Sequence, residues 1–197
     1  MNALLLIDIQ NDFLPGGALA VARGDEVIAA ANALIPGFPL VVATQDWHPA
    51  GHGSFASTQG AAVGTMGTLG GLPQVMWPDH CVQGTRGAEF ADTLSTDRVE
   101  AIFRKGVDPT VDSYSGFWDN GQRRQTGLAG YLRGRGVTDV TVVGLATDYC
   151  VKFTALDARA EGFSVRVVLA ACRGVELVVG DVERAVAELR GAGVVVG

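Results

Sequence analysis

Ala3-Leu-Leu-Leu-Ile7, with Asp8 directly behind it, sets the pattern by which the chain folds. An unbroken run of large apolar residues, too short for a helix, suits a strand buried on both faces, as in a parallel sheet. Three more runs follow the same plan: Leu40-Val-Val-Ala43 ahead of Asp46, Val99–Phe103 ahead of Lys105, and Val140–Leu145 ahead of Cys150. If the four strands are parallel, their trailing residues emerge along one edge of the sheet. Open α/β sheets place their ligand crevice at that edge, beyond the carboxyl ends of the strands.

Outward from these runs, strand and helix alternate. Strands are expected at 2–8, 39–45, 99–104, 138–145, 164–170 and 193–196, and helices at 25–35, 122–135, 148–161 and 181–191, with a weaker one at 87–94. This βαβ alternation predicts a doubly wound, mostly parallel six-stranded sheet with helices on both faces. One domain spanning 1–197 is expected, since neither a repeat nor a composition break divides it. A long stretch at about 47–80, rich in Gly and Pro, reads as loop, and loops of that length in compact domains tend to be functional. Its glycines form neither a phosphate-binding nor a dinucleotide fingerprint.

Composition excludes several functions. With 15 Lys+Arg against 21 Asp+Glu the net charge is −6, and no basic cluster exists, so neither nucleic acid nor an anionic membrane is an expected partner. The start, Met1-Asn-Ala-Leu-Leu-Leu-Ile-Asp8, has no basic region ahead of its apolar run and does not read as a secretory signal. No apolar stretch approaches membrane-spanning length. Three widely spaced cysteines argue for a reducing, cytoplasmic setting rather than a disulfide framework. A homo-oligomer is neither indicated nor excluded.

Cys150 lies in Gly144-Leu-Ala-Thr-Asp-Tyr-Cys150-Val151, where a strand turns directly into a helix. A thiol at the start of a helix faces the positive end of the macrodipole, which favours its thiolate, and the free N–H groups of that turn can receive an oxyanion. The alternative is a small apolar residue packing helix onto sheet. Asp8 and Lys105 on the same rim favour chemistry, because a thiol needs a base and a local positive charge to react near neutral pH. Alone, Asp8 would cap a turn with Gln10 and Asn11, and Lys105 would be a solvated strand end. Cys81 and Cys172 read as packing residues, although Cys81 beside His80 is also a candidate ligand. Asp46-Trp-His48 places a carboxylate and an imidazole on one face of an extended segment, with His80 or His52 available as a third donor. Three N/O donors with open positions suit a divalent ion: zinc first, with iron or manganese as alternatives. For His52, hydrogen bonding within the loop is the better reading.

These segments also carry a family resemblance. Asp8-Ile-Gln-Asn-Asp-Phe-Leu-Pro-Gly-Gly17, Asp46-Trp-His-Pro49 with Ser54-Phe-Ala56, and Trp77-Pro-Asp-His-Cys-Val-Gln-Gly-Thr85 are three of them. Lys105-Gly-Val-Asp108, Asp112-Ser-Tyr-Ser-Gly-Phe117 and Gly144–Val151 complete the set. In this order the chain resembles the nicotinamidases (pyrazinamidases) of the isochorismatase-like cysteine hydrolases. The resemblance implies a triad of Asp8, Lys105 and Cys150, and a divalent metal on Asp46, His48 and His80, with His52 or Ser54 near a further ligand position. It implies a cis peptide before Ala146, so that the N–H groups of Ala146 and Cys150 form an oxyanion hole. It also implies a pyridine pocket walled by Phe13, Trp77 and Tyr114. The activity implied is hydrolysis of nicotinamide, and of pyrazinamide, to the acid and ammonia through a cysteine thioester, as in NAD salvage. The rivals are a carbamoyl or ureido amide hydrolase of the same superfamily, and a catalytically silent module that binds a small ligand at the same rim.

Overall fold

A computed structural model describes residues 1–197. Six strands form one sheet in the order β5-β2-β1-β6-β7-β8, with every neighbouring pair parallel. They are β1 (Asn2–Ile7), β2 (Leu40–Asp46), β5 (Val99–Lys105), β6 (Asp139–Leu145), β7 (Ser164–Arg173) and β8 (Val195–Val196). Between them run α1 (Glu26–Leu34), α2 (Ala56–Gln59), α3 (Leu128–Gly134), α4 (Lys152–Ala160) and α5 (Asp181–Gly191). No helix is long and apolar enough to cross a membrane.

Side-chain alternation along β1 explains why its run is unbroken. Ala3, Leu5 and Ile7 enter a core shared with α3, α4 and α5, while Leu4 and Leu6 enter the core on the α1 side. A strand covered on both faces needs apolar residues at every position, and β1 supplies them. The order of connections reverses at β1: the chain crosses to β2 on one side and later returns to place β6 on the other. The crevice expected at such a reversal opens beyond Ile7, Asp46, Lys105 and Leu145.

Three expectations are corrected. The 47–80 stretch is not continuous loop, because it holds α2 and an antiparallel hairpin of β3 (Met66–Leu69) and β4 (Leu72–Val75). Its strands are four residues each, one of them carrying Pro73, so they lack the length and the alternation by which a strand is recognised. The helix expected at 87–94 is only a single 3-10 turn at Arg86–Ala88. The helix expected at 122–135 begins at Leu128, because Gly127 at φ +97° ends the preceding turn.

Gly144 marks where β6 approaches β1 most closely. It pairs with Ile7 at φ +123°, and a Cβ there would fall 2.1 Å from the Ile7 carbonyl oxygen. Gly144→Ala therefore combines an unfavourable backbone with a clash against main chain that cannot give way. We expect a loss of about 3–5 kcal/mol in urea unfolding, at the upper end for a single substitution.

Candidate active site

Asp8 occupies the first position after β1 at φ +46°, in the left-handed region that L-residues seldom adopt outside constrained sites. Its Oδ1 accepts the Thr44 hydroxyl at 2.6 Å, and its Oδ2 lies 2.9 Å from the Lys105 ammonium. Lys105 ends β5 directly beside Asp46 in the parallel ladder and is buried. Its three N–H donors are fully used, reaching Asp46 Oδ1 at 3.0 Å, the Ser113 carbonyl at 3.0 Å and Cys150 Sγ at 3.4 Å. Asp8 Oδ2 thus pairs with the ammonium as a charge but receives no aligned hydrogen bond from it. One carboxylate oxygen remains free to take a proton beside the thiol.

Burial dominates the titration of these groups. It raises Asp8, an effect that Lys105 opposes and Asp46 reinforces. It pushes the Cys150 thiol well up despite Lys105, with the negative charges of Asp8 and Asp46 adding to the rise. For Lys105 burial works against the ammonium, but Asp46, Asp8 and Cys150 together outweigh it and raise the group. Burial thus favours the protonated thiol, which lies beside the Lys105 ammonium and the Asp8 carboxylate.

Cys150 sits in Thr147–Val151, a turn wound wider than an α-helix, from which α4 continues. Wide turns of this kind recur at functional sites. The Leu145–Ala146 peptide is cis, and no backbone acceptor takes the Ala146 N–H. Phe13, Trp77 and Tyr114 share a cleft with Ala146, Cys150, Asp46, His48 and His80. The Tyr114 hydroxyl accepts the Trp77 indole N–H at 3.1 Å, and Tyr149 packs edge-on to both rings.

Asp46, His48 and His80 converge with their donor atoms within 4.8 Å of one another. The His48 Nδ1 meets the Gly106 carbonyl at 2.9 Å, and the His80 Nδ1 meets the Pro78 carbonyl at 2.7 Å. A carbonyl only accepts, so both imidazoles carry a proton on Nδ1 and turn Nε2 inward. Those Nε2 atoms face Asp46 Oδ2 at 3.1 and 3.3 Å. Positive charge bridges that contact, whether a proton on Nε2 or a metal ion. Burial would raise Asp46, yet His48 and Lys105 hold it well below the usual carboxylate range, so it is ionised and suited to meet that charge. The donor set fits a divalent metal with open positions.

The candidates at the margin separate clearly. His52 is buried against His48 but has both nitrogens engaged, Nδ1 with the Ser54 hydroxyl at 2.7 Å and Nε2 with the Asp108 carbonyl at 2.8 Å. Cys81 gives its N–H to Asp12 and stands outside the donor cluster. Sequence reading missed Tyr149, Leu19, Asp112 and Val175 as cleft residues. It also missed the grip of Gln10, whose amide pairs with Asp46 at both its N–H and its carbonyl, each at 2.8 Å. Gln10 and Asn11 instead read as partners in a turn of Asp8.

Comparison with known proteins bears on the family and the fold. The isochorismatase domain pattern matches residues 2–196. A nicotinamidase of Escherichia coli K12 is 50% identical over 196 residues, covering 98% of this chain and 92% of that one. Among solved structures, an L. infantum protein in complex with nicotinate superposes with a TM-score of 0.88 at 40% identity, covering 100% of this chain and 92% of the other. A Pyrococcus horikoshii pyrazinamidase in complex with zinc gives 0.81 at 40% identity, covering 100% and 98%. With its sheet order, its buried Asp/Lys/Cys set and its sequence match over nearly the whole length, the chain belongs to the isochorismatase domain family.

Proposed function

We propose that the protein hydrolyses nicotinamide to nicotinate and ammonia, with Cys150 as nucleophile, Asp8 as proton carrier and Lys105 as the charge that holds the thiolate. The observation that carries this reading is a cysteine sulfur 3.4 Å from an ammonium, in the same cleft as three convergent candidate metal donors and an aromatic wall. A carbamoyl or ureido hydrolase would have no use for that donor set beside the ring. Pyrazinamide differs from nicotinamide by one ring nitrogen in place of CH, and the same cleft admits it.

Asp8 Oδ2 takes the thiol proton as sulfur bonds to the carboxamide carbon, and the carbonyl π pair moves onto oxygen. The amides of Ala146 and Cys150 receive that oxyanion; one such donor typically contributes about 3–4 kcal/mol to the transition state. As the C–N bond breaks, Asp8 returns its proton to the leaving nitrogen, which departs as ammonia and leaves a thioester. Asp8 then takes a proton from the water that attacks the thioester. It gives that proton back to sulfur when the C–S bond breaks, and nicotinate is released. Throughout, Lys105 stays protonated, because two carboxylates and the sulfur surround it. Asp46, His48 and His80 would hold a divalent ion, zinc by the chemistry of the set, and the ion would supply a Lewis acid for the pyridine nitrogen. Phe13, Trp77 and Tyr114 would hold the ring in place so that its carboxamide meets Cys150.

Ammonia release from nicotinamide by the purified protein tests this reading. Cys150→Ala and Asp8→Asn should each lower turnover by about 10³-fold or more, since each removes a group that no neighbour replaces. Retention of substantial turnover in Cys150→Ala would remove the thioester scheme.

Gly106 tests the metal. Its carbonyl fixes the His48 tautomer, and at φ +65° a Cβ would lie 2.4 Å from His48 Cε1 and 2.9 Å from Asp46 Oδ1. Gly106→Ala should displace both donors and weaken metal binding by about 10–100-fold, read as metal content per chain after dialysis against a chelator. Unchanged metal content would show that the ion, if bound, sits elsewhere.

A further inference from the structure

We propose that Asp148 is a positioning residue: it ties one wall of the cleft to the turn that carries the nucleophile and governs nicotinamide binding through Val175. The proposal rests on the nicotinamide reading above. Asp148 lies in the Thr147–Val151 turn, two residues ahead of Cys150, and is buried. Its carboxylate is spent on one short segment. Oδ1 accepts the Val175 N–H at 2.9 Å, and Oδ2 accepts the Glu176 N–H at 2.7 Å.

That segment, residues 174–180, connects β7 to α5 and has no helix or strand of its own. Val175 lines the cleft beside Ala146, Tyr149 and Cys150. Beyond it, Leu177, Val178 and Val179 are 42%, 63% and 91% exposed, so packing does not anchor the outer part. Carboxylates do that instead. Glu176, in the left-handed region at φ +55°, accepts the Gly180 N–H at 3.0 Å, and Asp181 accepts the Val178 N–H at 2.8 Å. Asp148 is the member of this series that fastens the segment to the nucleophile's turn.

Hydrogen bonds to a carboxylate are the stronger kind, and a half-buried N–H that loses its partner turns toward water to replace it. Without the Asp148 carboxylate, the backbone of Val175 and Glu176 would shift toward solvent and carry the Val175 side chain with it. The cost falls on the fit of the ring and not on bond making, because both Asp148 oxygens face the 174–176 backbone and neither serves Asp8, Lys105 or Cys150.

The test compares Asp148→Ala, Asp148→Asn, Val175→Gly and the Asp148→Ala/Val175→Gly pair with the unaltered, metal-loaded protein. The readouts are kcat and KM on nicotinamide, the rate of Cys150 alkylation by iodoacetamide, and hydrogen exchange across 174–180. In Asp148→Ala, KM should rise about tenfold while kcat and alkylation stay within about threefold. Asp148→Asn, which keeps one acceptor oxygen, should fall between the two. Asp148→Ala should add little to Val175→Gly, and exchange should quicken across 174–180. Equal falls in kcat and alkylation at unchanged KM would overturn the proposal, since they would assign Asp148 to the nucleophile's turn alone. Full additivity with Val175→Gly, or unaltered exchange, would also overturn it. Should Asp148→Ala fail to fold, the same criteria apply to Asp148→Asn. Unaltered protein that is alkylated at Cys150 yet inert toward nicotinamide would overturn the functional reading, and exchange across 174–180 would still decide whether the latch exists.

Discussion

The ammonium of Lys105, with its side chain wholly removed from solvent, is the constraint around which the site is organised. A charge in that position must be neutralised and hydrogen-bonded, or it would cost several kcal/mol and shed its proton. Asp8 from the end of β1, Asp46 from the end of β2 and Cys150 from the turn after β6 all meet it, and the Ser113 carbonyl takes the remaining N–H. Four separate pieces of chain are thereby brought to one point, three of them at the carboxyl ends of adjacent strands. The parallel sheet supplies the positions, and the ammonium requires that they be filled with acceptors.

One short segment then distributes that order through the rest of the crevice. From Asp8 to Phe13, five of six side chains attach to different parts of the site. Asp8 pairs with Lys105, Gln10 clasps the backbone of Asp46, and Asn11 donates to the carbonyls of Arg86 and Glu89. Asp12 accepts the N–H of Cys81, next to the candidate metal donor His80, and Phe13 lines the cleft. The sixth, Ile9, is buried in the α1-side core and anchors the segment beneath. Side-chain amides and carboxylates take over where the β1 ladder stops, so the donors of the site are placed by satisfied hydrogen bonds and not by packing alone.

How much of this was legible in sequence depends on the range of the interaction. Strands buried on both faces announce themselves as unbroken apolar runs, so β1, β2 and β6 could be read directly, and with them the rim that holds Asp8, Asp46 and Cys150. The closeness of Asp46 and His48 was legible because two residues of extended chain put them on one face. The hairpin β3–β4 was not, since its strands are too short for a periodic signal. Nor were the partners of Gln10, Asp12 and Asp148, which lie 36, 69 and 27 or more residues away. Nothing local to a glutamine says which distant backbone it will clasp. Tyr149 and Val175 escaped for the same reason: only the closure of the crevice brings them to its wall.

Asp46 joins the two chemical halves of the site. Its Oδ1 faces the Lys105 ammonium, and its Oδ2 faces the Nε2 atoms of His48 and His80. The negative charges of Asp8 and Asp46 add to the burial that raises the Cys150 thiol, and Lys105 opposes them, so the two carboxylates work against formation of a thiolate. A cation seated between Asp46, His48 and His80 would offset that charge, because a bound ion is the largest local charge and resets the titration of its neighbours. Lys105 would then be left to Asp8 and the sulfur. The carboxylate shared between the ammonium and the candidate metal donors would make the reactivity of the thiol depend on occupancy of the neighbouring site, even though the ion need not touch the sulfur.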